Sequence, residues 1–121
     1  MNTITKVIIP AYNEEKSIAK VIQDLPPTVD EIVVVSNNSS DETVDVAKKA
    51  GATVLTEKRR GYGYACLKGI SYIKSQTIKP DIIVFQEIDF NSHRTYNVDQ
   101  LESLGVLAGY QYGAVSVNWD K

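Results

Sequence analysis

Glu87 and Asp89 stand two residues apart, directly after the apolar run Ile82-Ile83-Val84-Phe85. Two carboxylates at that spacing can both face one cation if the backbone turns there. Mg²⁺ or Mn²⁺ takes such oxygen ligands and needs few of them when a diphosphate supplies the rest. Solvated acids at a loop start are the plainer explanation. Two further polar segments follow apolar runs in the same way. Pro10-Ala11-Tyr12-Asn13-Glu14 follows Val7-Ile8-Ile9, and Ser36-Asn37-Asn38-Ser39-Ser40-Asp41 follows Val33-Val34-Val35. A tyrosine face suits any flat heterocycle, and an amide can donate to and accept from a base edge. The plainer reading makes Tyr12 a residue packed on the next helix, Asn13 a helix cap and the Asn/Ser run ordinary turn chemistry. Gly61-Tyr62-Gly63 opens a helical pattern and can approach phosphate. Arg59 and Arg60 beside it either offset diphosphate charge or are solvated. His93, the only histidine, reads as a surface residue, and Cys66 as a core residue.

The elements that position these residues follow from periodicity. Short Val/Ile runs without alternation are strands buried on both faces, as in parallel sheets. The spacing predicts strands over 4–10, 30–36, around 54–55 and over 81–86. It predicts a first helix capped by Asn13, with Glu14 and Glu15 in its first turn and Pro26-Pro27 ending it. A second runs from about Ser40, where Ser39 to Glu42 has capping-box spacing, to Gly51, with Asp41 as a first-turn acid. A third follows Gly63. The order β-α-β-α-β-α-β gives an α/β three-layer sandwich with a mostly parallel central sheet and right-handed crossovers. All strand carboxyl ends then lie on one edge, where open α/β sheets bind ligands. Residues 98–108 read as a helix and 112–118 as a last strand.

Bulk properties narrow the function. The 121 residues fit one domain, 1–121. Hydrophobic content of 43% with 23% charged residues is that of a globular domain. No apolar stretch approaches the ~20 residues of a membrane helix, and the start of the chain reads as a strand rather than a signal peptide. A net charge of −2 and a pI near 5.3 argue against nucleic acid. A single cysteine excludes a disulfide framework and fits a cytoplasmic location.

The ordered set VIIPAYNEE, VVVSNNSSDET, RRGYGYACLKGI and PDIIVFQEID resembles family 2 glycosyltransferases of the GT-A, Rossmann-like fold. The third segment is similar to the dolichol-phosphate mannosyltransferase branch. The resemblance covers residues 5 to about 92, and 93–121 diverge. It implies a nucleotide-sugar-binding half-domain, a truncated GT-A fold, using UDP- or GDP-linked sugar. Pro10, Ala11 and Tyr12 would shape the base wall, Glu14 would contact the nucleoside, and Asn37 would stand at the base edge, where the family often has an acid. Arg60 would face the diphosphate. Glu87 and Asp89 would fall on the acid-any-acid motif that holds Mg²⁺ or Mn²⁺. Glu87 replaces the usual Asp, and Gln86 an apolar residue. The catalytic residue is unknown, because the acceptor site and base of the family lie in a second half without a counterpart here. Activity of the chain alone is therefore uncertain. The alternatives are a non-catalytic nucleotide or nucleotide-sugar binding remnant and, further off, a nucleotidyltransferase, which would want a basic Gly-rich loop after the first strand. A polyprenyl phosphate or small-molecule acceptor, placement at the inner membrane face and a homodimer through residues 100–119 complete the expectation.

Overall fold

In the computed structural model, residues 4–86 and 88 are described. They form β1 (Thr5–Ala11), α1 (Ile18–Gln23), β2 (Glu31–Ser36), α2 (Thr43–Lys49), β3 (Thr53–Thr56), α3 (Tyr62–Ser75) and β4 (Ile82–Phe85). All pairings are parallel and the sheet order is β3-β2-β1-β4. Strands β2, β1 and β4 are adjacent and parallel, as the Val/Ile runs predict, but β4 is the outer strand among the described residues rather than a central one. The chain winds outward from β1 to β3, then crosses through α3 to β4 on the other side of β1. The topological switch point therefore lies between β1 and β4.

Alternation within the buried strands builds two cores. Ile8, Val33, Val35, Ile83 and Phe85 pack with Ala65, Ile70 and Ile73 of α3. Val7, Ile9, Val34 and Val84 face the other way, onto Ile18 and Ile22 of α1 and Ala47 of α2. These are the three layers.

Pro10 sits inside β1, where a missing N–H ordinarily breaks a ladder. The Ile8 carbonyl accepts from Gln86 N (3.0 Å), and the Ala11 carbonyl from Asn37 N (2.7 Å). Even-numbered residues of β1 thus bond toward β4 and odd-numbered ones toward β2. The β1–β4 ladder ends at the pair Ile8–Phe85. Pro10 faces the β4 side beyond that pair, so no ladder bond is lost, and β1 outruns β4 at the carboxyl edge.

The helix starts differ from the sequence expectation. The first helix begins at Ile18, not after Asn13, and no acid lies in its first turn. A turn comes first, in which the Glu14 carbonyl accepts from Ser17 N and Ile18 N. The second begins at Thr43, and its N-cap Glu42 makes no side-chain cap bond. Asp41 precedes that helix and accepts from Thr43 N (2.9 Å). The Asn13 side chain bonds to the neighbouring loop instead of to its own helix, whereas Asp41 bonds both its own helix start and the Glu15 N–H of the loop after β1.

At the amino edge, Glu31 ties three strands to α3. Its carboxylate accepts from Lys6 Nζ (2.9 Å), Thr53 Oγ1 (2.8 Å) and Tyr72 OH (2.6 Å). Burial pushes this carboxyl up, but these bonds outweigh it and leave it below the usual range. Midway along α3, Gly69 lets the helix touch the sheet. A Cβ there would lie 2.7 Å from Ile8 Cγ2, in a fully buried side chain. Gly69→Ala is expected to destabilise the fold by about 1–3 kcal/mol through overpacking. Gly63→Ala in the same helix meets nothing within 4 Å and should be neutral or stabilising by up to about 1 kcal/mol. Urea unfolding of the two variants checks the contrast; equal effects would contradict it.

Candidate functional site

The register brings three strand ends level. Ala11 pairs with Ser36, and Ser36 with Thr56. Tyr12, Asn37 and Glu57 are the next residues of their strands. Beside the switch point the ends of β1 and β2 border a cavity of about 160 Å³, lined by Pro10, Ala11, Tyr12, Glu14, Asn37, Tyr62, Ala65 and Ile88. Five of the residues singled out from sequence thus share one cleft. Tyr12 is 50% exposed and lines the cleft rather than being buried against α1. Arg60 is exposed and does not line the cavity. Glu87 and Asp89 lie outside the described residues, although Ile88 between them lines the cleft. Among the described residues, no group of three His, Cys, Asp or Glu could hold a metal.

Tyr62, Ala65 and Ile88 were not picked as contacts. The signal for the first two was the Gly61-Tyr62-Gly63 turn, which opens α3 at the cleft. The signal for Ile88 was its place between the two acids. Cys66 is half-buried against the α3 core, as expected.

The loops around the cleft are cross-linked by side chains. Asn13 adopts φ 51°, a left-handed conformation that Asn tolerates. Its Oδ1 accepts from Ser40 N (2.8 Å) and Asp41 N (3.3 Å), while Ser39 Oγ accepts from Asn13 N (3.0 Å). Glu14 N donates to Thr43 Oγ1 (2.8 Å), and Glu42 N to Glu15 Oε1 (2.9 Å). Asn13 therefore joins two loops instead of capping α1. Burial pushes the Asp41 carboxyl up, but the Thr43 hydroxyl, Thr43 N–H and Glu15 N–H hold it below its ordinary value. Glu42 is pushed up by the adjacent Asp45.

The third loop is held by Asn37 and by a buried acid. Asn37 Nδ2 donates to the Glu57 carbonyl (3.1 Å) and the Arg59 carbonyl (2.7 Å), and Asn37 Oδ1 accepts from Gly61 N (3.0 Å). Glu57 is buried and accepts from Arg59 Nε (3.0 Å), Nη2 (3.0 Å) and N (2.9 Å). The Arg59 side chain holds the Glu57 carboxyl down to about 2. The same guanidinium lies 4.3 Å from the Tyr64 ring centroid. Arg59 is thus 61% exposed at its side chain yet held in place, by Glu57 on one side and the Tyr64 ring on the other.

A family model, Glycosyl transferase family 2, matches residues 6–104. The chain belongs to that family. The match runs past residue 92, where the motif resemblance ends. Over 113 residues the chain is 31% identical to the dolichyl-phosphate hexose transferase of Haloferax volcanii, covering 91% of this chain and 45% of that protein. Over 59 residues it is 51% identical to protein RfbJ of Shigella flexneri, 47% and 46% of the two chains. Glucosyl-3-phosphoglycerate synthase of Mycobacterium tuberculosis, solved with Mn²⁺, UDP and glucosyl-3-phosphoglycerate, superposes with TM-score 0.62 at 31% identity, covering 75% of this chain and 36% of that one. The GT-A arrangement expected from the motifs is therefore present. The chain spans about a third to a half of the length of these relatives. No helix among the described residues is long and apolar enough to cross a membrane.

The Glu57 carboxyl gives a pH prediction. Its folded pKa, about 2, lies below the ordinary glutamate value of 4.5. Its stabilisation is therefore complete above about pH 4.5 and lost as pH falls toward 2. Glu57→Gln should lower stability at pH 7 and flatten the decline between pH 4.5 and 2. Denaturant unfolding across that range reads both; an unchanged acid limb would contradict the ion pair.

Proposed function

We propose that the chain binds a nucleotide-diphospho-sugar and a divalent cation at the carboxyl-edge cleft, as the donor half of a glycosyl transfer. The observation that carries this reading is the convergence of Pro10, Ala11, Tyr12, Glu14 and Asn37 on one cleft beside the switch point, in a chain of this family. Tyr12, half exposed at the cleft, stacks on the base, Pro10 and Ala11 shape the wall beside it, and Glu14 contacts the nucleoside. Arg60 and the amino end of α3 offer positive potential to the diphosphate.

Glu87 and Asp89 hold the cation in this reading. Their carboxylates are hard oxygen donors of the kind Mg²⁺ and Mn²⁺ take, and Ile88 between them lines the cleft. When bound, the cation supplies Lewis acidity at the leaving diphosphate. Structures of glucosyl-3-phosphoglycerate synthase with UDP and either Mn²⁺ or Mg²⁺ support both the metal and the nucleotide. The likeness to a dolichyl-phosphate hexose transferase supports a polyprenyl-phosphate acceptor at the inner, cytoplasmic membrane face, with a small-molecule acceptor as the other choice.

Calorimetry with UDP and GDP, with and without Mn²⁺, tests the reading. Asp89→Ala should weaken Mn²⁺-dependent binding at least about tenfold, while Glu87→Asp is tolerated. Tyr12→Ala should remove a base-stacking contact of roughly 1–3 kcal/mol. Unchanged affinity in both Asp89→Ala and Tyr12→Ala would contradict the site. Turnover of UDP- or GDP-sugars separates a transferase from a binding module without catalysis.

Self-association belongs to the same proposal. Leu101, Leu104, Leu107, Val115, Val117 and Trp119 form an apolar segment, outside the described residues, that a second copy would cover. Sedimentation should give a dimer; a monomer at 13.4 kDa would overturn it.

A further inference from the structure

We infer that Asn37 is a positioning residue for the 57–61 loop and the amino end of α3, rather than a reader of the base edge. The inference about ligand binding rests on the nucleotide reading above; the loop contact itself does not. Both N–H groups of the Asn37 amide are donated to backbone carbonyls, of Glu57 and Arg59, and its oxygen already accepts from Gly61 N. The amide orientation is fixed by this set, because a flip would oppose its oxygen to two carbonyls. No donor remains for a base, and one of the two acceptor sites of the oxygen is already taken by Gly61 N.

What Asn37 holds is the segment between β3 and α3. Gly61, the N-cap of α3, has φ 126°, a backbone conformation that side chains rarely adopt. One turn on, Tyr62 and Ala65 line the cleft. Arg60 lies between Arg59 and Gly61, to both of whose backbones Asn37 bonds. The strand-end amide therefore sets where the α3 wall and the Arg60 backbone stand relative to β1.

The isosteric change separates positioning from base reading. In Asn37→Asp a carboxylate would face two carbonyl oxygens in place of two N–H donors. If the side chain read a base N–H, the acid would bind at least as tightly as the amide. If it positions the loop, UDP affinity falls roughly tenfold, the effect of one or two lost net hydrogen bonds, and uridine affinity falls less than about twofold. The loss then shrinks toward pH 5, because protonation of the disfavoured carboxylate restores one donor.

The experiment measures UDP and uridine binding, with GDP and guanosine in parallel, to wild type, Asn37→Asp and Asn37→Ala at pH 5 and 7.5, and the pair that wild type binds is the one compared. Amide exchange at Gly61 in the ligand-free protein is read alongside. Faster Gly61 exchange in Asn37→Ala, with a loss confined to UDP, is the expected result. Equal losses for uridine and UDP, tighter UDP binding by Asn37→Asp, or unchanged Gly61 exchange would each overturn the inference. If wild type binds neither UDP nor GDP, the nucleotide reading fails and the ligand part of this inference with it; Gly61 exchange still decides whether Asn37 holds the loop.

Discussion

Backbone groups in the loops past a buried parallel sheet have no ladder to join, and those turned inward need partners. Two asparagine amides supply them at the carboxyl edge. Asn13 bonds the backbone of the loop after β2, and Asn37 the backbone of the loop after β3. Each residue starts one loop and satisfies the next. The loops after β1, β2 and β3 are thereby linked in the order in which the strands lie, and the walls of the cleft are set by strand register.

Helix α3 shows how the sheet places a functional wall. Its middle is seated on β1 where Gly69 admits Ile8. Its later half is tied by Tyr72 to Glu31, and through that carboxylate to Lys6 and Thr53. Its first turn is tied to β2 through Asn37 and Gly61. Tyr62 and Ala65 inherit their positions from these three attachments. The charged groups divide accordingly: Glu31 with Lys6 fixes the amino edge, and Glu57 with Arg59 the corner beside the cleft. Arg60, exposed, is left to the solvent side of the same loop.

Much of this was legible in the sequence. The Val/Ile runs place β1, β2 and β4, and the polar residues after them mark the edge that carries the cleft. Pro10, Ala11, Tyr12, Glu14 and Asn37 were identifiable as its lining because strand ends in parallel sheets converge and the motifs that hold them resemble the family's. The helix starts were not legible. Asn13, Asp41 and Glu42 have the composition of caps, but Asn13 is taken by the loop after β2, Asp41 divides its carboxylate between Thr43 and Glu15, and Glu42 makes no side-chain cap bond. The ladder bond avoided at Pro10 depends on which neighbour each β1 residue faces, which composition does not encode. Arg59 and Arg60 are alike in sequence, and only the buried Glu57 beside them distinguishes their roles.

The central claim is that the cleft past β1 and β2 is where a nucleotide diphosphate docks. The most direct measurement is a two-dimensional ¹⁵N–¹H spectrum of the chain titrated with UDP or GDP in the presence of Mg²⁺. The account predicts saturable shifts at the amides of Tyr12, Asn37, Tyr62, Ala65 and Ile88, with Lys6, Glu31 and Tyr72 at the opposite edge unmoved. Shifts confined to the amino edge, or no shifts with either nucleotide, would contradict it.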